Sequence, residues 1–250
     1  AAPILMLEKK DKTNRLCIDY RKLNQITVDD KYPMHRHEDS FNKLAKCKYF
    51  TSLDFVSGYW QIGMKEEDRV KTAFTCHKGT FEWNVMPFGL KNAPSTFQRC
   101  MDNMLKEVSE FASAKLDDIL IASETFEEHM IHVERVLQII KKQGGKLKWK
   151  KCKFFQKQLV HLGQIVSDEG LKMDPERVEA IDKMEAPKDK KELQSFLGMM
   201  NYYRGFIKEY ATKAEPLNRL MKKKETFVWG EEQEKAFKTI KETLKEEPIL

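Results

Sequence analysis

The feature that most constrains this chain is an acidic pair inside an apolar, strand-like run, AKLDDILIAS at residues 114–123. Strands disfavour Asp and adjacent carboxylates repel each other, so Asp117 and Asp118 need a specific reason to stand there. A turn at the pair would let the apolar residues on each side form the two arms of a hairpin. The run therefore predicts a β-hairpin that displays carboxylates, and an ordinary Asp-Asp turn is the simplest explanation.

A third carboxylate could join this pair. The segment KYFTSLDF, residues 48–55, is typical of a strand that ends on Asp54. Three converging carboxylates would be costly without cations, and hard divalent ions such as Mg²⁺ prefer oxygen ligands. Two such ions could activate a 3′-hydroxyl and stabilise a leaving pyrophosphate. On these three residues alone we prefer the simpler explanation, a plain turn and an unrelated strand end.

The composition is that of a folded protein. Of the 250 residues 41% are hydrophobic and 34% are charged, and no apolar run approaches the roughly 20 residues of a membrane span. The five cysteines form no CxxC pair, which argues against a disulfide framework or a zinc site and predicts an intracellular setting. The net charge of +6 suggests a polyanionic partner. The chain begins without Met or a signal peptide, which predicts a piece of a longer protein.

Local patterns predict mainly strands before residue 170 and helices after it. Residues 1–24 are typical of a β-hairpin, and residues 38–46 of a short helix. Capping signals predict helices that begin near Asn92, Thr125, Asp174, Asp189 and Glu231. His129 and His132 lie one helical turn apart, which favours a solvent-facing pair over a metal site. The pattern predicts an α+β body with an appended helical unit.

Eight segments follow one another in a specific order. They are RLCIDYRKLNQIT, KYPM, FTSLDFVSGYWQI, KTAF, MPFGLKNAPSTFQRCMD, LDDIL, LGQIVSDEG and FLGMMNYYRGFI. Their order and spacing resemble the reverse transcriptases of retroviruses and long-terminal-repeat retrotransposons, most closely the gypsy-like elements. The resemblance implies an α+β right-hand polymerase fold. Truncated fingers and a palm with an antiparallel sheet would occupy residues 1–170. Residues 171–250 would form a helical thumb and the start of a connection toward a missing ribonuclease H domain.

The resemblance also implies an activity and residues that carry it. The activity is RNA-directed and DNA-directed DNA polymerisation, with two Mg²⁺ or Mn²⁺ ions. The implied metal ligands and catalytic residues are Asp54, Asp117 and Asp118, with the backbone carbonyl of Phe55. The implied dNTP-binding residues are Lys9, Arg15, Tyr59, Phe88 and Gly89. The residues implied to contact the primer are Lys115, Leu162 and Gly163. Taken singly, each also fits a surface cation, a core aromatic or a plain turn.

A basic segment precedes the helical half. Residues 141–157, KKQGGKLKWKKCKFFQK, hold eight lysines and no acidic residue, interleaved with three aromatic side chains. Such a segment attracts nucleic-acid phosphates without sequence preference, and we expect Lys148 and Lys150 to contact the template and primer. A solvated lysine edge over core aromatics fits the same spacing.

Two residues depart from the family pattern. Lys115 stands where the family usually has an aromatic residue, and His35 stands where it usually has Pro. Lys115 either weakens primer positioning or adds a phosphate contact. This leaves open an alternative, a catalytically inactive retroelement-derived module that binds nucleic acid or a protein. A nucleotidyl cyclase with a similar palm fits the carboxylates but not MPFGLKNAPSTFQ.

The expected partners are an RNA or DNA template with its primer, and dNTPs, but no membrane. Dimerisation is left open. The compartment is also left open, either a cytoplasmic retroelement particle or the nucleus.

Overall fold

The structure is a computed structural model that describes residues 1–8, 12, 14–33, 44, 46–222 and 225–246. The chain forms two compact units, Ala1–Gln156 and Lys157–Leu250. The predicted boundary near residue 170 separates the fingers and palm from the thumb, and it stays a prediction. The helix predicted at 38–46 lies almost wholly outside the described residues. Within the described part of the chain, no helix is long and apolar enough to cross a membrane.

The first unit contains both strands and helices, and helices make up most of the second. The strands are β1 (Ala2–Glu8), β2 (Asn14–Ile18), β3 (Tyr49–Asp54), β4 (Phe74–Cys76), β5 (Gly79–Phe81), β6 (Ala112–Lys115), β7 (Asp118–Ser123), β8 (Lys153–Gln156), β9 (Gln158–His161), β10 (Gln164–Ser167) and β11 (Gly170–Met173). The helices are α1 (Arg21–Ile26), α2 (Glu66–Arg69), α3 (Ala93–Leu105), α4 (Phe126–Lys142), α5 (Pro175–Asp182), α6 (Lys190–Tyr202), α7 (Tyr210–Lys213), α8 (Glu215–Leu220) and α9 (Glu231–Lys245).

The sheet that matters for the site has the strand order β6-β7-β3-β8. Strands β6 and β7 form the hairpin predicted around the acidic pair. Strand β7 also pairs antiparallel with β3, and the register sets Asp54 opposite Asp118. The C-terminal end of β3 and the turn of the β6–β7 hairpin therefore lie at the same end of one sheet.

Strand β7 can lie in the middle of this sheet because its side chains are apolar on both faces. Leu53 on β3 and Ile119 and Ile121 on β7 are fully buried in one core. Phe97 from α3 and Val136 from α4 belong to the same core. Burial of each such side chain contributes roughly 1.5–3 kcal/mol, so the core fixes the strand ends that carry the carboxylates.

A second sheet of the first unit has the order β2-β1-β4-β5. Strands β1 and β2 pair antiparallel from Ile4 opposite Ile18 to Glu8 opposite Asn14, which confirms the N-terminal hairpin. Residues Val70–Thr72 form a 3₁₀ turn that precedes β4.

The second unit contains a three-stranded antiparallel sheet, β9-β10-β11, and the helices from α5 onward. Its core contains fully buried residues of α6, α8 and α9, among them Leu193, Met200, Leu217, Ile240 and Leu244. The core residues recur at helical spacing, so each helix buries one face.

Most predicted helix starts are confirmed. The Thr125 hydroxyl accepts from the Glu128 N–H and completes a capping box, and Asp174 and Asp189 cap α5 and α6. Asn92 precedes α3 but its side chain does not cap the helix. Its amide instead donates to the Val28 carbonyl at 2.8 Å, so a tertiary contact replaces the predicted local one.

Candidate active site

The hairpin between β6 and β7 turns at Leu116 and Asp117. Asp117 is exposed in the turn, and Asp118 is the half-buried first residue of β7. The Asp117 carbonyl accepts a hydrogen bond from the Phe55 N–H at 3.2 Å, which ties the turn to the end of β3. Of the two aspartates, Asp117 lies in the turn, whereas Asp118 belongs to β7 and pairs with Asp54.

The carboxylates influence one another electrostatically. Burial raises the pKa of Asp118, and the negative charges of Asp117 and Asp54 raise it further. Lys151 opposes this effect, because its ammonium lies 3.0 Å from Asp54 Oδ2. The hydrogen bond to Asp54 in turn raises the pKa of Lys151. The site is therefore an acidic cluster to which Lys151 is bound.

The donor set has the chemistry that a hard divalent cation prefers, namely carboxylate oxygens that carry mutually repelling charges. The raised pKa of Asp118 supports this fit, since a bound cation would relieve that repulsion. In residues 46–222 and the other described ranges, no group of three or more His, Cys, Asp or Glu side chains is arranged to hold a metal ion. In the observed arrangement Asp54 contacts Lys151 instead.

Gln98 on α3 holds the acidic turn, a role that the sequence did not reveal. Its side-chain amide donates to the Ala114 carbonyl at 2.8 Å, and its side-chain oxygen accepts the Leu116 N–H at 2.8 Å. Leu116 has a left-handed backbone with φ of 52°, which a residue with a Cβ adopts only at a cost. Gln98 is almost fully buried, and a polar residue on the buried face of α3 was the available signal.

Two of the predicted dNTP-binding residues contact each other beside this turn. The rings of Tyr59 and Phe88 have centroids 5.2 Å apart. Burial raises the pKa of Tyr59, and the charge of Asp117 adds to the shift. A Cβ added to Gly58, next to Tyr59, would lie 2.7 Å from Cζ of Phe97 on α3, and 3.4 Å from the Cβ of Asp117. The glycine therefore lets this segment pack closely against α3, beside the acidic turn.

The remaining predicted dNTP-binding residues lie on other elements. Gly89 has φ of 93°, and its carbonyl accepts from the Asn24 side chain at 2.8 Å. Arg15 lies on β2 opposite Leu7, and only its backbone is described. Lys9 lies outside the described residues.

The predicted template and primer contacts fall into two groups. Lys115 pairs with Asp118 across the β6–β7 hairpin, and burial lowers the pKa of its side chain. Lys148 and Lys150 are exposed, and the Lys148 N–H donates to the Asp54 carbonyl at 2.7 Å. These three lysines belong to the acidic end of the first unit. Leu162 and Gly163 form the turn between β9 and β10 in the second unit.

His129 corrects a prediction. It is fully buried instead of facing solvent, with Nε2 2.7 Å from Thr51 Oγ1 and Nδ1 2.8 Å from Ser123 Oγ. Ser123 Oγ also lies 2.8 Å from Nδ1 of His132. Burial lowers the pKa of His129 to about 4, with a smaller contribution from His132. This polar cluster joins α4 to β3 and β7 near Ser123, at the opposite end of β7 from Asp118.

Comparison with known proteins identifies the family. The sequence signature described as reverse transcriptase (RNA-dependent DNA polymerase) matches residues 7–166. The retrovirus-related Pol polyprotein from transposon 297 of Drosophila melanogaster is 41% identical over 239 residues, which cover 94% of this chain and 22% of that protein. The Pol polyprotein from transposon gypsy of the same organism is 36% identical over 267 residues, with 100% and 26% coverage. The chain thus spans about a quarter of the length of these curated relatives.

Solved structures of reverse transcriptases have a fold similar to that of this chain. The foamy viral protease-reverse transcriptase dRH in complex with double-stranded DNA has a TM-score of 0.86 and 27% identity, covering 100% of this chain and 44% of that one. The foamy viral protease-reverse transcriptase in complex with RNA/DNA hybrid has a TM-score of 0.83 and 26% identity, with 100% and 34% coverage. These similarities confirm the predicted α+β fold of a right-hand polymerase. On sequence and structure together, the chain belongs to the reverse transcriptase family, among those of the long-terminal-repeat retrotransposons.

Proposed function

We propose that the chain is an RNA-directed and DNA-directed DNA polymerase that transfers nucleotides from dNTPs to a primer 3′-hydroxyl. The observation that carries this proposal is the register of β3 and β7, which sets Asp54 opposite Asp118 and beside the Asp117 turn. Because the chain belongs to the reverse transcriptase family, we interpret this acidic cluster as the site that would bind the catalytic metal ions.

Asp54, Asp117 and Asp118, with the Phe55 carbonyl, would hold two Mg²⁺ or Mn²⁺ ions. Such ions supply activation of the 3′-hydroxyl and neutralisation of the leaving pyrophosphate. The chain's own contribution is to keep the carboxylates convergent. The β3–β7 register and the hydrogen bond between the Phe55 N–H and the Asp117 carbonyl do this, and Lys151 supplies positive charge to Asp54.

The dNTP would bind beside the acidic turn. Tyr59 would stack under the sugar and exclude a ribose 2′-hydroxyl, supported by its ring contact with Phe88 and by the charge of Asp117 at its hydroxyl. Gly89 would keep the pocket open, because it carries no side chain. Arg15 and Lys9 would bind the triphosphate, since several fixed positive donors match its charge and geometry.

The template and primer would lie along basic and backbone groups. Lys148 and Lys150 are exposed and would contact phosphates of any sequence. Lys115 would add a phosphate contact near the primer end, and Leu162 and Gly163 would contact the primer backbone. The foamy viral relatives were solved with double-stranded DNA and with RNA/DNA hybrid, which supports both kinds of duplex as partners. The dimer and the compartment stay predictions.

Lys115 favours a second candidate, a silent module that binds nucleic acid. A half-buried lysine beside Asp118 stands where the family usually has an aromatic residue. This candidate predicts salt-sensitive duplex binding in a gel shift and no primer extension.

The direct test is extension of oligo(dT) on poly(rA) with dTTP and Mg²⁺ or Mn²⁺. We expect extension by the wild-type chain. Asp117→Asn should lower the rate by at least roughly a thousandfold, because charge stabilisation by bound ions is worth several kcal/mol. Template binding by this variant should survive.

Asp168→Asn, at an exposed aspartate of the second unit, is the matched control and should extend normally. A folded wild-type chain that extends no primer would refute the polymerase. Full activity in Asp117→Asn would refute the role given to that carboxylate.

A further inference from the structure

The turn between β9 and β10 has a backbone that its sequence does not favour. Leu162 and Gly163 both have left-handed backbones, with φ of 54° and 78°. Hairpin turns with two positive φ angles prefer Asn-Gly or Asp-Gly, because the Cβ of most residues crowds the following carbonyl oxygen. Leu162 has no polar side chain to offset this crowding, so other residues of the unit must stabilise the turn.

Tyr202, the last residue of α6, bonds directly to this turn. Its hydroxyl donates to the Leu162 carbonyl at 2.7 Å. The next carbonyl, that of Gly163, accepts from the Asp174 N–H at 3.4 Å. Both carbonyl groups of the turn are therefore bound by residues from elsewhere in the second unit.

Tyr203 and Arg177 enclose the turn at Gly163. A Cβ added there would lie 3.2 Å from the Tyr203 hydroxyl and 3.7 Å from Arg177 Nε. The rings of Tyr202 and Tyr203 form an edge-to-face pair with centroids 4.8 Å apart. Tyr203 is buried, so this contact fixes the Tyr202 ring against the body of the unit.

The hydrogen bond from Tyr202 also determines the direction in which the Gly163 N–H can donate. A trans peptide is planar, so the Leu162 carbonyl and the Gly163 N–H point in opposite directions. Because the carbonyl is held by Tyr202, the N–H points away from α6. Among the described residues, neither the Leu162 N–H nor the Gly163 N–H donates to a backbone carbonyl. Backbone N–H groups of this kind bind phosphate oxygens of nucleic acids.

We propose that Tyr202 is a positioning residue, whose hydroxyl holds the Leu162–Gly163 peptide so that the Gly163 N–H faces a phosphate of the primer strand. The inference rests on the proposed function, which puts this turn on the primer. Without the hydroxyl, the strained turn populates other conformers, and primer affinity falls with the fraction that keeps the competent one. One neutral hydrogen bond changes that fraction roughly three- to tenfold.

The test compares Tyr202→Phe with Tyr210→Phe. Tyr210 is a matched control, a half-buried tyrosine of the same unit whose hydroxyl donates to the Leu197 carbonyl at 3.5 Å. Anisotropy of a fluorescein-labelled DNA primer on an RNA template gives Kd without any need for catalysis. Single-turnover extension gives the rate at saturating primer–template, and amide hydrogen exchange reports on residues 158–167.

Tyr202→Phe should raise Kd about three- to tenfold, leave the saturating rate unchanged and speed amide exchange at Leu162 and Gly163. Tyr210→Phe should do none of these. Equal Kd and equal exchange in the two variants would overturn the proposal, as would a lower saturating rate with unchanged Kd. A wild-type chain that binds but does not extend would refute the polymerase, while Kd and exchange would still decide the role of Tyr202. A wild-type chain that does not bind would overturn both.

Discussion

Two hairpin turns of this molecule have the same unfavourable backbone conformation but are stabilised by different side chains. The turn at Leu116 and Asp117 and the turn at Leu162 and Gly163 each begin with a left-handed leucine, with φ of 52° and 54°. Such a leucine costs roughly 1–2 kcal/mol. In each turn a side chain from a helix bonds the strained backbone, Gln98 in the first unit and Tyr202 in the second.

The two turns differ in how firmly they are held. Gln98 is 1% exposed and bonds a carbonyl and an N–H, whereas Tyr202 is 37% exposed and bonds one carbonyl. Loss of a partner costs more for a buried polar group than for one that water can reach. The acidic turn therefore has the more fixed geometry, whereas the Leu162–Gly163 turn is bound by one side chain, the Tyr202 hydroxyl, and by the more distant Asp174 N–H.

The largest effect should follow from removing the support of the acidic turn. Gln98→Leu keeps the approximate volume but leaves the Leu116 N–H and the Ala114 carbonyl without their partner. An unsatisfied buried group costs roughly 1–3 kcal/mol, so we expect a loss of about ten- to a hundredfold in the saturating rate of extension. Primer–template affinity should not change.

Gln138→Leu is the control, because Gln138 is an exposed glutamine whose side chain bonds only within α4, to Glu134. Single-turnover kinetics on both variants make the measurement. A normal rate in Gln98→Leu would show that the turn keeps its geometry without the two hydrogen bonds from Gln98.

Acid should weaken the sheet that carries the acidic turn. The pKa of His129 is lowered from 6.5 to about 4, so between these pH values the unfolded chain binds more protons than the folded one. The stability that neutral His129 contributes is complete above pH 6.5 and is lost as the pH falls toward 4. We expect this residue to account for roughly 2–3 kcal/mol of the unfolding free energy across that range.

Urea unfolding at several pH values measures this contribution. His129→Gln removes the titrating group, so its unfolding free energy should depend less steeply on pH than that of the wild type. His77→Gln, in an exposed turn, should keep the wild-type slope. Identical slopes in all three chains would contradict the assignment.

The smallest effects should come from the exposed lysines beside the acidic turn. Lys148→Gln and Lys150→Gln should each lower the slope of log affinity against log salt by about 0.7–0.9, equally for all template sequences. Lys235→Gln, at an exposed lysine of α9, serves as the control. A sequence-dependent loss, or an unchanged salt slope, would exclude phosphate contacts at these positions.

The parts that sequence predicted are local or periodic. The Thr125 and Asp189 caps follow from residues three apart, and the central strand β7 follows from its apolar run. The meeting of Asp54 with Asp118 required the resemblance as well, because spacing alone does not say which strands pair. A strand end and a turn were predictable, but their register was not.

The parts that escaped prediction depend on contacts between distant residues. Gln98 bonds a residue eighteen positions away, and Tyr202 one forty positions away, and no local pattern encodes either contact. His129 was assigned the wrong environment for a related reason. Helical spacing puts it on one face with His132, but only packing against β3 and β7 makes that face buried.

The most direct measurement titrates primer–template in single-turnover extension for the wild type, Gln98→Leu and Tyr202→Phe side by side. We expect the maximal rate to fall only in Gln98→Leu and the half-saturating concentration to rise only in Tyr202→Phe. If both variants changed the same parameter, the division between a turn that serves chemistry and a turn that serves the primer would be wrong.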